Sequence, residues 1–532
     1  MKKWFVTGCV ALLSASSFGQ SSPALPNELE KFNTLLFQID RFYTDSVNAR
    51  KLVDAAIVKV LEDLDPHSVY IPKEEIAAMN EPLQGNFDGI GVEFNIMRDT
   101  VFVVNPIPSG PSEKLGIKAG DKIVKVDGVN IAGIGIKNSD VPKKLRGPKG
   151  SQVKISIMRD GVSQLLDFNI TRDKIPIFSL EASFMATPKT GYIKISRFAA
   201  TTHDEFVKAV QELKKQGMEN LILDLQGNGG GYLKAATDMA DEFLSDNKLI
   251  VFTQGRSFPK EETKAQNKGN FEKGKLVILI DEGSASASEI VSGAVQDWDR
   301  GVLVGRRSFG KGLVQRPFPL PDGSQVRLTV QRYYTPSGRC IQKPYDEGSE
   351  AYHKEKYERY SNGELFSIDS IQMPDSLRFL TSLKRPVYGG GGILPDFFVP
   401  IDTGEGSAYF SAMIRSGALN QFSLDYLNKN RERLSGTYKD MVDFKKRFEV
   451  TAELENEMTN FCANEGIEFN EADFAKSRRW IHLRFKATLA RNLYENSAFY
   501  YIINDLNESF EKGLEVIEGA EYARMKLAKN AY

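Results

Sequence analysis

The feature that most constrains the fold is a series of short apolar segments, GYIKI, NLILDLQ, KLIVF, KLVILI and GVLVG, between residues 191 and 305. Helical stretches such as HDEFVKAVQELKKQ (203–216) and KAATDMADEFL (234–244) separate them. Segments apolar on both faces read as buried strands, and their alternation with helices predicts α/β layering. A chain of 532 residues is too long for one core and suggests roughly three or four domains.

The flanking text divides accordingly. Residues 24–82 read as a helical region, with Leu29, Phe32, Leu35, Leu36 and Ile39, then Leu52, Ala55, Ala56, Val58 and Leu61, at helical spacing. DPHSVYIP (65–72) breaks that pattern. Residues 84–172 alternate short strands and turns, as in GIGVEF, TVFVVNPI, KIVKVDG and QVKISIMRDG, and read as a compact β-rich module. A core over 174–402 holds the apolar strands. In it QVRLTVQRYY follows the turn signal PDGS and returns as a hairpin from LVQRPFPL. Between about 343 and 385 the text turns polar and irregular and reads as an insertion. Residues 403–532 are helical in pattern and heavily charged.

Lysine plus arginine (69) nearly balances aspartate plus glutamate (70), and no long basic block appears, which argues against a nucleic-acid partner. MKKWFVTGCVALLSASSFGQ (1–20) has the lysines, short apolar stretch and small residues of a signal peptide, so the mature chain is expected to be exported, to the periplasm. VTGC, ending at Cys9, resembles a lipoprotein box, but only about three apolar residues precede it, and no lipid anchor is expected there. The mature chain shows no transmembrane-length apolar run. Cys340 and Cys462 then remain, enough for one bridge if they meet in space.

The stretch KLVILI, DEGSA, SEIVSGAVQDW reads as strand, tight turn, helix, and sets Ser286 and the N–H of Ala287 at a helix N-terminus with free donors and a positive partial charge. A nucleophilic hydroxyl there sits beside a site for the oxyanion it generates. Alternatively Ser284, Ser286 and Ser288 only cap the helix, with Glu289 completing a capping box. Lys311, in SFGKGLVQ, is a candidate base if burial among apolar neighbours (Phe309, Leu313, Val314) depresses its pKa, and otherwise a surface lysine. Gln315, four positions on, shares its face. DLQGNGGGYL (224–233) can offer a second oxyanion donor and lacks the GK[ST] end or GxGxxG spacing of a phosphate loop. None of the four histidines, His67, His203, His353 and His482, is near the serine turn or the glycine loop in sequence, and none has metal-ligand spacing.

Taken together, LDPHSVYIP, GIGVEF, AGDKIVKVDG, LRGPKGS, DLQGNGGGYL, GSASASEI, SFGKGLVQ, RYYTPSGR and GILPD, in this order over about 30–400, resemble the C-terminal (tail-specific) processing peptidases, serine proteases with a Ser/Lys dyad and a PDZ domain. The resemblance implies a multidomain α/β chain: a crotonase-like protease core, an inserted-type β-rich PDZ domain, and helical N- and C-terminal regions. It places the nucleophile at Ser286, the base at Lys311, the glutamine that orients the lysine at Gln315, and oxyanion donors at the N–H groups of Gly231 and Ala287. It places the peptide-binding loop at Gly89, Ile90, Gly91 and Val92, where successive N–H groups can hold a terminal carboxylate over an apolar floor of Ile90, Val92 and Phe94. Arg146 matches an arginine that links the PDZ to the protease domain.

The implied activity is cleavage of unstructured or C-terminal segments of protein or peptide substrates with free C-termini, with no cofactor and no metal, and with homo-oligomerisation compatible. A catalytically silent PDZ scaffold and a crotonase-like acyl-transfer enzyme are the alternatives; retention of both serine and lysine argues against the first, the PDZ module and signal peptide against the second. Gln226, in DLQGN, stands where the family has arginine.

Overall fold

The computed structural model describes residues 25–525 and Leu527. The expected signal peptide, with Cys9, lies outside the described residues.

Four of the five apolar segments enter one six-stranded sheet, in the order Leu180–Met185, Thr190–Ile195, Asn220–Asp224, Leu276–Ile280, Val302–Gly305, Phe397–Phe398. The first pair is antiparallel and the rest are parallel. Because side chains alternate along a strand, Leu221, Leu223, Ile278 and Leu303 join one core, under the helices Thr202–Lys215, Leu233–Asp241 and Ala287–Asp297. Ile222, Val277, Leu279 and Val304 join another, under Phe510, Val516, Ile517 and Tyr522 of the C-terminal segment. Burial on both faces explains why these strands read as continuous apolar runs.

KLIVF departs from the α/β expectation. Its strand, Leu249–Gln254, joins a separate antiparallel sheet with Glu261–Lys264, Gln325–Tyr334 and Val69–Ile71. The expected hairpin is present, Leu313–Pro319 pairing with Gln325–Tyr334. The text after DPHS therefore supplies a strand to the core: Val69–Ile71 is an edge of this sheet.

The β-rich module is a sheet ordered Val92–Met97, Thr100–Pro106, Lys122–Val126, Gln152–Met158, Leu166–Thr171 around its own core. Asn86–Gly89 pairs with Asp173–Pro176, so the chain enters and leaves the module at one point, as an inserted unit does. Residues 408–503 form a bundle of helices about a fourth core, centred on residues such as Leu427, Phe444, Phe485 and Ile502. The last helices, Glu508–Glu518 and Ala520–Arg524, leave that bundle for the central sheet. Near the N-terminus the helix Leu25–Phe42 has no buried residue. Among the described residues no helix is long and apolar enough to cross a membrane. Cys340 and Cys462 are both free.

Candidate active site

Leu276–Ile280 ends in a tight turn, and the helix Ala287–Asp297 starts on Ser286, which has φ +55°, a left-handed conformation that costs a non-glycine residue energy. Of the three alternating serines only Ser286 keeps solvent exposure; Ser284 and Ser288 are buried. The Ser284 hydroxyl donates to Leu225 O at 2.8 Å and that of Ser288 to Asn228 O at 2.8 Å, so both fasten the serine turn to the glycine loop.

That loop lies against the turn. A Cβ on Gly230 would stand 2.8 Å from Ser286 Cβ and 3.0 Å from Ala287 N, and one on Gly231 would stand 2.1 Å from Phe198 O. Phe198 N–H donates to Gly230 O and Tyr232 N–H to Phe198 O, a bridge that leaves the Gly231 N–H unused. Neither it nor the Ala287 N–H has an acceptor among the described residues. Gln226 accepts from the Asn507 side-chain amide at 3.0 Å, so this position of the glycine loop is engaged by the chain's own C-terminal segment.

Ser286, Ala287, Gly231, Lys311 and Gln315 line one cleft of about 1030 Å³, with Ile290, Leu313 and Tyr333 among its apolar walls. Lys311 Nζ donates to Gln315 Oε1 at 3.2 Å, and no hydrogen bond joins it to Ser286 Oγ. Burial, and next the Arg327 guanidinium, hold the Lys311 pKa below the ordinary lysine value, against the carboxylates of Asp65 and Glu289, which act to raise it.

Several residues here escape the sequence reading. His67, far in sequence from the serine turn, accepts the Gln315 Nε2 amide on its main-chain oxygen. Burial and then the charge of Lys311 depress the His67 pKa to about 3, so its imidazole is neutral and too weak a base to serve near neutral pH. His203 reaches the rim of the cleft, paired with Glu242 at 2.7 Å. Glu289 does more than close a capping box: its carboxylate accepts from Ser286 N, Ser308 Oγ, Gly310 N and Lys311 N. The only sequence signals were the short DPHS motif and the Ser-x-x-Glu spacing.

In the β-rich module the Ile90 and Gly91 N–H groups have no main-chain acceptor among the described residues. The Ile90 side chain, 2% exposed, belongs to the module core and is no part of an open floor, because its carbonyl is pinned by Ser112 N and Oγ. Val92 and Phe94 pack on that core and stay partly exposed, and Gly89 ends the strand paired with Asp173. Arg146 stacks at 4.2 Å on Phe87 and pairs with Glu81. It thus reaches the helix Ile76–Gln84, whose Asn80, Leu83 and Gln84 line the cleft, and not the central sheet.

Residues 189–348 match the model of peptidase family S41, residues 89–170 that of the PDZ domain, and residues 409–495 that of a family of unknown function. The carboxy-terminal processing protease CtpB of Bacillus subtilis is 33% identical over 66% of this chain and 71% of its own. The carboxy-terminal-processing protease of Bartonella bacilliformis is 33% identical over 64% of this chain and 78% of its own. Among solved structures, the photosystem II D1 C-terminal processing protease is 32% identical over 58% of this chain and 83% of its own, with a TM-score of 0.33. Fold and site thus define a serine-type peptidase carrying a PDZ domain. The chain belongs to the carboxy-terminal processing proteases of peptidase family S41.

Proposed function

We propose that this chain is an exported, periplasmic serine endopeptidase that takes hold of protein C-termini on its PDZ domain, residues 84–172, and cuts unstructured or C-terminal segments in a crotonase-like core, residues 174–402. Ser286 Oγ attacks the scissile carbonyl and its proton passes to neutral Lys311 Nζ. The amine leaves with that proton, and Lys311 then takes one from the water that hydrolyses the acyl-enzyme. Gln315 orients the lysine, and the N–H groups of Gly231 and Ala287 receive the oxyanion. In the loop that begins at Gly89, Ile90, Gly91 and Val92 present the N–H groups that hold the substrate's carboxylate.

The observation that carries this reading is the convergence, in one cleft, of the only exposed serine of the turn, two main-chain N–H groups without acceptors, and a lysine whose pKa burial depresses. The test is hydrolysis of an unfolded protein by Ser286→Ala and Lys311→Ala. Each is expected to lose about 100-fold or more in kcat with its melting transition kept. Turnover by Lys311→Ala near that of the parent would end the lysine assignment.

A further inference from the structure

The insertion leaves the core and returns to the same place, for the Gly390 N–H donates to Cys340 O and the Gly392 N–H to Ile341 O, both at 2.8 Å. Within it the text read as irregular forms a helix, Ser349–Ser361, just beyond the stretch that matches the peptidase model, residues 189–348. This helix grips the Lys311 loop from two directions.

The first grip is on the main chain. Arg359, 2% exposed, donates to Ser308 O at 2.9 Å and to Phe309 O at 3.1 Å. Glu355 holds Arg359 at 2.7 Å and Lys343 at 2.7 Å, while the Lys343 ammonium lies 4.3 Å from the Phe309 ring and 4.1 Å from that of Tyr352. With the Gly310 and Lys311 N–H groups on Glu289 and the Gly312 N–H on Gln342, almost every polar group of this main chain is committed.

The second grip is on side chains. Tyr352, 2% exposed, has its hydroxyl 2.8 Å from His67 Nε2 and its ring edge-on to the imidazole, with centroids 5.1 Å apart. The His67 carbonyl accepts from Gln315, and Gln315 accepts from Lys311.

We infer that the insertion helix is a positioning element for the general base: Arg359 sets the main chain beneath Lys311, and Tyr352, through His67 and Gln315, sets the direction of its amine. Neither residue lines the cleft. The physical need is plain. A lysine amine has four rotatable bonds behind it and one lone pair to aim, and misplacement by about 1 Å can cost on the order of 100-fold in rate. Gln315 Oε1 takes one N–H and so fixes where the lone pair points, provided that His67 keeps the amide from rotating.

The inference rests on Lys311 being the base. The test is a double-mutant cycle of Tyr352→Phe with Gln315→Ala in the full chain, read as kcat and kcat/KM on a peptide substrate from pH 6 to 10, with melting followed in parallel. Tyr352→Phe alone is expected to lower kcat about tenfold with KM within about twofold, and to move the acid limb to higher pH as water reaches the amine. In the Gln315→Ala background it should cost less than about twofold, because the path to the base is already cut. Full cost in that background, or a folded Tyr352→Phe with parental kcat and acid limb, overturns the inference. If Tyr352→Phe does not fold, Arg359→Lys decides: it keeps the charge but not the two-pronged contact, and kcat within about twofold of the parent overturns the proposal. An active Lys311→Ala would instead fault the base assignment itself, whereas an inactive one with an additive cycle faults only the role of the helix.

Discussion

Ser286 and Lys311 hang from the same carboxylate oxygen: Glu289 Oε2 accepts the main-chain N–H of Ser286 at 2.8 Å and that of Lys311 at 2.9 Å. The other oxygen takes Ser308 Oγ at 2.6 Å and the Gly310 N–H at 2.7 Å. Burial pushes the Glu289 pKa up, and these four donors oppose it. In Glu289→Gln one oxygen becomes an NH2 group facing two donors. Each donor left unpaired costs about 1–3 kcal/mol. The variant is expected to melt well below the parent and, where folded, to lose about tenfold or more in kcat as nucleophile and base drift apart. Parental kcat in the folded variant would show that this shared anchor does not set their alignment.

Depression of the Lys311 pKa has two consequences of definite sign. Activity should rise with pH through the folded pKa, below the usual lysine value of 10.5, as the amine loses its proton. Stability should also rise with pH between the folded pKa and that of the unfolded chain, where only the unfolded state still binds the proton. Lys311→Met should therefore be more stable than the parent at neutral pH, with the difference shrinking toward pH 10.5. Urea titrations at several pH values read this directly. A constant difference would mean that the buried ammonium carries no penalty.

Ser284 and Ser288 are predicted to matter for the turn and not for the chemistry. Removing either hydroxyl takes one donor from a buried carbonyl, Leu225 O or Asn228 O, which keeps a main-chain N–H, of Asn228 or Ala285, so the loss is about 0.5–1.5 kcal/mol. Ser284→Ala and Ser288→Ala should melt lower yet still be labelled at Ser286 by a fluorophosphonate. Labelling lost in either variant but kept in Ser286→Ala would move the nucleophile.

What the sequence made legible follows the range of each interaction. The strand-turn-helix around Ser286 and the hairpin after Lys311 are local, set by apolar runs and turn residues, and both are present as read. KLIVF looked like its neighbours, yet it went to the other sheet, since an apolar run reports burial and not its partner strand. The DPHS motif was visible, but the meeting of His67 with Gln315 spans 248 positions and leaves no periodic trace. The insertion read as irregular because Ser349–Ser361 is polar nearly all round; besides its own i,i+4 pair Arg359–Glu355, it is held by Lys343 and Arg307 on Glu355 and by Arg307 on Glu364, pairs that only the fold brings together.

The pair Arg146–Glu81 yields the last prediction, about how the PDZ domain and the cleft communicate. Both side chains keep some exposure, 38% and 23%, so the pair adds little stability, about 0–1 kcal/mol, and breaking it should leave melting almost unchanged. Its place gives it another role. Glu81 lies in the helix whose Asn80 accepts from Arg327 at 3.3 Å, and Arg327 is the charge that, after burial, most depresses the Lys311 pKa. Arg146→Ala should therefore reduce cleavage of a substrate held by its C-terminal carboxylate several-fold more than that of a short peptide blocked as the amide, which the PDZ domain should not retain. The charge reversal Arg146→Glu with Glu81→Arg should restore part of the loss. Equal losses on both substrates, or no rescue by the reversal, would place the coupling elsewhere along the junction between the domains.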